Sequence, residues 1–246
     1  MKIRADLLLT EQGLFESRSA AQRAIMAGLV RVGPDHVVRN AAETWPEGTV
    51  FVVAETSGFV SRGAGKLQPM LEKHLPDLTG LQALDLGAST GGFTDLMLQR
   101  GACRVYAVDV GHGQLHWRLR EDPRVVCLER TNARYLTSAQ IPEPMDLMTA
   151  DLSFIGLEKV LPAVVPLLRG SAWAFVLIKP QFEARREEVG KGGVVRSAEV
   201  RDRVVGEIAT FAETQLGWQH IETSPSPVLG PKGNQEFIGV FRTAAT

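Results

Sequence analysis

The sequence predicts a mostly parallel α/β sheet with helices on both faces, preceded by a small α+β module. Three observations carry this. After about residue 66, short runs such as "LQALDLG", "RVYAVDV", "MDLMTAD" and "WAFVLIK" alternate with helical stretches. These runs are apolar nearly throughout, as strands buried on both faces are. The first 55 residues follow another grammar, with two short helices and then a β-ribbon. Between the two regions, "ETSGFVSRGAGKL" holds three glycines and little periodicity, which marks a linker. The expected boundaries are residues 1–55, 56–65 and 66–246.

In the first region, Asp6 to Gly13 reads as a short helix that stops at its glycine. Ser17 caps a second helix through Ala20, Ala21, Ala24 and Ile25, and Gly28 is placed to end it. "LVRV" and "HVVRN" read as strands around the turn "GPD", and "TVFVV" as another. In the second region, Leu67, Met70, Leu71 and His74 suggest a helix, and Lys66 falls in the linker before it. Strands "LQALDLG", "RVYAVDV" and "RVVCLE" enclose helices at Gly92 to Gln99 and around Gln114 to Arg120. A helix from Val160 to Leu168 separates "MDLMTAD" from "WAFVLIK". Apolar residues at 200, 204, 205, 208, 211, 212 and 216 have helical spacing, and "EFIGVFR" closes the series.

Composition narrows the function classes. The net charge of −1 gives no global attraction for a polyanion, so any such binding needs a local patch. Cys103 and Cys127, the two cysteines, read as small core residues in apolar runs, without metal-ligand spacing. The histidines have none either, and no metal is expected. No apolar stretch approaches the ~20 residues that span a bilayer. The start "MKIRADLLLTEQ" is too charged for a secretory leader, so the expected compartment is the cytoplasm.

"ALDLGASTGGF", Ala83 to Phe93, is a strand that enters a glycine-rich turn and then a helix. Gly87, Gly91 and Gly92 let backbone approach a ligand closely, with Ala88, Ser89, Thr90 and Phe93 between and after them. The spacing departs from the dinucleotide fingerprint. Asp85, two residues before the first glycine, suits a cationic amine better than a pyrophosphate. Asp109 ends the next strand, where a carboxylate accepts ribose hydroxyls. An amine-binding acid followed by a ribose-binding acid describes S-adenosylmethionine better than NAD. A glycine turn with capping acids and no ligand is the plainer alternative.

Four polar residues mark strand ends or their approach: Lys66, Asp151, Lys179 and Glu236. Open α/β sheets keep their chemistry above the carboxyl ends of their strands. If a sulfonium methyl passes to a hydroxyl, the hydroxyl must lose its proton. A base or an oxyanion-stabilising cation does this. One lysine near another cation would have a lowered pKa. Taken singly, each residue also reads as a solvated strand end. "DLSF" lacks the proline pair of amine-methylating sites, and neither cysteine stands at a strand tip. Both absences favour a hydroxyl acceptor.

The order Lys66, Asp151, Lys179, Glu236 resembles the Lys-Asp-Lys-Glu tetrad of FtsJ-type ribose 2′-O-methyltransferases. The whole chain is similar to the TlyA family, through "FVSRGAGKL", "LDLGASTGGFTD", "VYAVDVGHGQL", "ERTNAR", "ADLSFI", "IKPQFE", "GKGGVVR" and "SPVLGPKGNQEF". The resemblance implies a Rossmann-like class I methyltransferase with a mostly parallel seven-stranded sheet, preceded by an S4-like RNA-binding domain. It implies methyl transfer from S-adenosylmethionine to a cytidine 2′-hydroxyl of ribosomal RNA. Lys179 would activate the hydroxyl, oriented by Asp151, Lys66 and Glu236. Asp85, Gly87, Ser89, Gly91 and Asp109 would hold the cofactor, with Asn132 at its adenosine end. Phe59 and Ala64 in the linker, Ser197 and Gln235 depart from the family pattern, all outside the tetrad.

For the first region the resemblance implies a basic face of Lys2, Arg4, Arg18, Arg23 and Arg31, continued by Arg62, on the phosphates of ribosomal RNA or ribosomal subunits. Residues 1–55 carry six Lys/Arg against seven Asp/Glu, so arrangement rather than net charge would decide affinity. "EVGKGGVVRS" is expected to be a mobile lid. Two other functions compete. A membrane-lytic protein, a role ascribed to some family members, would need an insertion helix that the sequence does not offer. An assembly factor with a vestigial cofactor pocket would bind RNA without chemistry.

Overall fold

Two compact units, residues 1–62 and 63–246, make up the chain in a computed structural model. The structure describes residues 2–15, 17–33, 36–53, 58–230 and 232–244. The expected turn at Pro34 and Asp35, and linker residues 55–57, lie outside them.

The first unit runs β1 (Lys2–Arg4), α1 (Ala5–Glu11), α2 (Arg18–Met26), β2 (Val30–Val32), β3 (His36–Val37), β4 (Thr44–Pro46) and β5 (Phe51–Val53). Ser17 Oγ accepts from the Ala20 N–H at 3.2 Å and caps α2. Gly28, at φ +71°, supplies the left-handed residue beyond its C-terminus. Leu8 and Leu9 of α1 meet Ala21, Ala24 and Ile25 of α2 over Val30 and Phe51. The sheets are antiparallel, β3-β2-β5 and β1-β4. β1 and β4 were not expected, because three-residue strands reading KIR and TWP leave no periodicity.

The second unit contains α3 (Ala64–His74), β6 (Gln82–Leu86), α4 (Gly92–Gln99), β7 (Arg104–Val108), α5 (Trp117–Arg120) and β8 (Val125–Leu128). There follow β9 (Met145–Ala150), α6 (Leu161–Val164), β10 (Leu168–Ile178), α7 (Pro180–Glu183), α8 (Ala198–Leu216), β11 (Gln219–Pro225) and β12 (Phe237–Arg242). Among the described residues one sheet has seven strands in the order β11-β12-β10-β9-β6-β7-β8. Its internal pairs are parallel, and β12 runs antiparallel to both its neighbours. Strand order reverses between β6 and β9, which opens a crevice at their carboxyl ends. Leu84, Met148, Val176 and Phe241 form the sheet's share of the core, and α8 covers it with Val204, Ile208 and Ala212.

Four readings need correction. Lys66 lies in the first turn of α3, not in a linker, because the helix begins at Ala64. The helix expected over Val160 to Leu168 is only α6 followed by a 3-10 turn, and Leu168 already belongs to β10. Pro166 withholds the N–H that a longer helix would bond to the Pro162 carbonyl, whereas Pro162 lies in the first turn, where proline is tolerated. β11 was missed because this edge strand is half-exposed and reads QHIETSP, with little apolar content. Cys103 is exposed, since it precedes β7 rather than joining its buried run.

Candidate active site

The carboxyl ends of β9 and β10, the start of β12 and the first turn of α3 bring four charged side chains together. Lys66 Nζ lies 2.9 Å from Glu236 Oε2 and 3.3 Å from Asp151 Oδ2. Lys179 Nζ lies 2.5 Å from Asp151 Oδ1. Asp151 therefore bridges the two lysines, and Glu236 closes the chain at one end. Lys179 is 6% exposed and Glu236 1%, so this is a buried network, and each charge needs its partners. Burial alone would lower the Lys66 ammonium, but Asp151 and Glu236 outweigh it and hold the amine above its ordinary value. The expectation of a lysine lowered by a neighbouring cation does not apply to Lys66, because carboxylates surround it. Burial likewise pushes the Asp151 carboxyl up, but Lys179 and Lys66 prevail and hold it below its usual range.

Two neighbours that sequence reasoning missed complete the network. Lys179 Nζ donates to Ser153 Oγ at 2.9 Å, and Gln181 Nε2 donates to Glu236 Oε1 at 2.9 Å. Ser153 stands two residues after Asp151 in the same turn, and Gln181 two residues after Lys179. That proximity is the only signal the sequence holds. Between Ser153 and the apolar wall, Phe154 is 90% exposed and takes φ +64°, a strained state for a bulky side chain. Its ring lies 5.0 Å from that of Phe182.

Beside the network, a cavity of about 450 Å³ is lined by Gly87, Ser89, Asp109, Asn132, Asp151 and Ser153, among others. Gly87 is required there, because at φ +78° a Cβ would stand 2.5 Å from the Asp151 carbonyl oxygen. Asp109 accepts from the Ser89 N–H at 2.8 Å and the Gly111 N–H at 2.7 Å, so it ties two strand tips together at the cavity wall. Asn132 Oδ1 accepts from the Arg134 N–H. Thr131 and Leu152 also line the cavity and had no signal in the sequence.

The remaining expected cofactor residues stand back from the wall. Asp85 is wholly buried, and its carboxylate is filled by Thr94 Oγ1 at 2.6 Å and Thr149 Oγ1 at 2.9 Å. Burial pushes it up to about 6 against those two hydroxyls. It supports the turn from beneath and does not face the cavity. Ala88, Gly92 and Phe93 are buried, Thr90 is half-buried, and Gly91 sits under Leu115 and Leu119. At "EVGKGGVVRS", Asn234 Oδ1 accepts from the Val195 N–H, and its Nδ2 donates to the Gly193 carbonyl. Among the departures from the family pattern, Ser197 caps α8 through the Val200 N–H. Gln235 donates to the Ser226 and Glu236 carbonyls.

In the first unit, Arg4 and Arg18 turn to a buried carboxylate. Asp6, fully enclosed, takes both ends of Arg4 at 2.9 Å, Arg18 at 3.2 Å and Gln22 at 2.6 Å. Arg4 first, with Gln22 and Arg18, holds it well below the usual carboxylate range. Lys2, Arg23 and Arg31 are exposed, and so is Arg62, whose guanidinium passes over Gly28.

A sheet of this order with its last strand reversed, a glycine turn after its first strand and an acid at the tip of the second define a class I methyltransferase that uses S-adenosylmethionine. Residues 59–243 match the model of the FtsJ-like methyltransferases. The Mycobacterium tuberculosis 16S/23S rRNA (cytidine-2′-O)-methyltransferase TlyA is 46% identical over 98% of this chain and 90% of its own length. Hemolysin A of Brachyspira hyodysenteriae is 36% identical over 97% of this chain and 99% of its own. The solved structure of a Streptococcus thermophilus protein described as a hemolysin is 39% identical, with a TM-score of 0.78 over 99% of this chain and 89% of that one. The chain belongs to the FtsJ-like methyltransferase family, among its TlyA-type members.

Its cofactor is S-adenosylmethionine, and the residues fit that molecule. The cavity joins an apolar wall to the carboxylates of Asp109 and Asp151, as a nucleoside bearing a sulfonium and an amine requires.

Proposed function

We propose that the chain methylates a ribose 2′-hydroxyl of ribosomal RNA, at a cytidine, as the activity named for its mycobacterial relative suggests. The observation that carries this is the Lys66–Asp151–Lys179 and Lys66–Glu236 network, whose Asp151 also lines the cavity. S-adenosylmethionine, when bound, supplies a methyl group activated by its sulfonium.

The chain supplies the acceptor side. Lys179 meets the hydroxyl: as the amine it accepts the hydroxyl proton, and as the ammonium it stabilises the oxyanion while that proton passes to water. Asp151 and Ser153 fix the Lys179 amine from two directions, and Phe182 lies 5.8 Å from it on a third. Lys179 and then Lys66 hold Asp151 in its ionised form, and Glu236 pairs with Lys66, so two lysines face two acids. Gly87, Ser89, Asp109 and Asn132 bind the cofactor at the cavity wall.

The next groove suits nucleic acid. Phe154 and Phe182 present ring faces there, with Arg134, Lys159 and Arg186 at its edge. Exposed aromatic faces beside cations are how single-stranded or flipped nucleotides are held. Residues 1–55 serve as an S4-like RNA-binding domain, with the exposed Lys2, Arg23 and Arg31 toward phosphates and Arg62 continuing them, while Arg4 and Arg18 are taken up by Asp6. No described helix is long and apolar enough to cross a membrane. A cytoplasmic location follows from the ribosomal substrate.

Transfer of radiolabelled methyl to purified ribosomal subunits, followed by nucleoside analysis, tests this. The expected label is on a ribose, and Lys179→Ala lowers the rate by about 10²–10⁴-fold while cofactor binding persists. Label on a base, or full activity in Lys179→Ala, overturns the reading.

A further inference from the structure

Glu129 follows β8 by one residue and does not line the cavity, yet its carboxylate is among the most heavily bonded in the molecule. Oε2 accepts from the Gly113 N–H at 2.9 Å and contacts His112 Nδ1 at 3.1 Å. Oε1 accepts from the Gln114 N–H at 3.0 Å, the Leu115 N–H at 3.4 Å and Arg120 at 2.6 Å. The side chain is 9% exposed. Burial would push the acid up, but Arg120 and the three backbone N–H groups prevail and hold it at about 2. It is therefore ionised throughout the working range of an enzyme.

What it grips is the segment that follows Asp109. Residues 110–116 form neither helix nor strand and contain Gly111 and Gly113, so the backbone has little stiffness of its own. Val110 and Gln114 of this segment wall the cavity. Its far end lies across the glycine turn after β6. The His116 N–H donates to the Thr90 carbonyl, and Leu115 and Leu119 occupy the space above Gly91 where a Cβ would stand. One carboxylate thus holds together the tip of β8, the wall after β7 and the turn after β6.

We propose that Glu129 is a positioning residue of the cofactor site: it selects the ordered form of residues 110–116 and so sets affinity for S-adenosylmethionine without touching it. This rests on the cofactor assignment and not on the identity of the methyl acceptor. Three consecutive backbone N–H groups lose a shared acceptor when Glu129 is removed. The segment then pays in ordering entropy each time the cofactor binds.

Glu129→Ala and Glu129→Gln test this by calorimetry with S-adenosylhomocysteine, hydrogen exchange of the Gly113–Leu115 amides without ligand, and steady-state kinetics. At the 1.5–3 kcal/mol of a charge-assisted hydrogen bond, Glu129→Ala weakens S-adenosylhomocysteine about 10- to 100-fold. The KM for S-adenosylmethionine rises in parallel, and kcat at saturating cofactor stays within about twofold, as loss of uniform binding requires. Exchange quickens at Gly113–Leu115 and not in β9 or β10. Glu129→Gln falls between, because its amide oxygen still accepts from backbone while its NH2 faces Arg120. Arg120→Ala removes the cation and leaves the backbone bonds, so its affinity stays near that of the parent; Glu129→Gln carries the test if Glu129→Ala does not fold. Loosened amides with unchanged affinity, or a fallen kcat with unchanged KM, overturn the proposal. A parent protein that gives no heat overturns the cofactor assignment with it.

Discussion

Glu183, at the end of α7, is a carboxyl group held where its neutral form is favoured. Burial pushes it up to about 7, against the Leu157 N–H it accepts at 3.0 Å and with nearby Glu158 adding to the rise. Lys159 opposes the shift weakly. In the unfolded chain the same group titrates near its ordinary 4.5. Between those two values the folded protein binds more protons than the unfolded one, so stability falls as pH rises from about 4.5 to about 7. Asp85, pushed up to about 6, adds a decline of the same sign between about 4 and 6. Glu183→Gln keeps an acceptor for Leu157 and cannot ionise. Its stability relative to the parent should therefore improve by up to about 3 kcal/mol from pH 5 to pH 8. Urea midpoints at the two pH values measure this, and a difference that does not change with pH refutes it. The sequence gives no hint of such a residue, since "QFEAR" reads as a solvated helix end until tertiary packing closes over it.

The turn after β6 shows the same division at the scale of an element. Its glycines were legible, because a strand that runs into G-x-x-x-G-G can only be a tight approach of backbone to something. What lies opposite Gly87 was not, for the Asp151 carbonyl comes from a strand 64 residues on. Gly87→Ala would force a left-handed alanine, a cost of about 1–2 kcal/mol, and drive its Cβ into that carbonyl. The expected result is lost S-adenosylhomocysteine binding in calorimetry and a lowered melting temperature; retained affinity contradicts the placement. The parallel strands were legible from unbroken apolar runs. β1, β4 and β11 were not, being short or half-exposed. Lys66, Asp151, Lys179 and Glu236 could be read as an order of positions, but Ser153, Gln181 and Glu129 acquire meaning only from neighbours distant in the chain.

Across the whole molecule, the proposed reading assigns ribosomal RNA docking to the first unit and chemistry to the second, so the two should fail separately. Arg23 on α2 and Arg31 on β2 are exposed. Arg23→Ala with Arg31→Ala should weaken binding to ribosomal RNA and flatten its log K against log salt slope by about 2. Affinity for S-adenosylhomocysteine should not change. A slope equal to the parent's removes these arginines from the RNA face. Within the larger unit, β12 is wedged between β10 and β11, both of which precede it in the chain. The edge strand therefore has no seat until the final one arrives, and assembly must wait for contacts remote in sequence. Glu236 arrives with that final strand. An unfinished chain consequently carries two lysines against a single acid at its rim, and the event that completes the sheet is also the one that balances the charge.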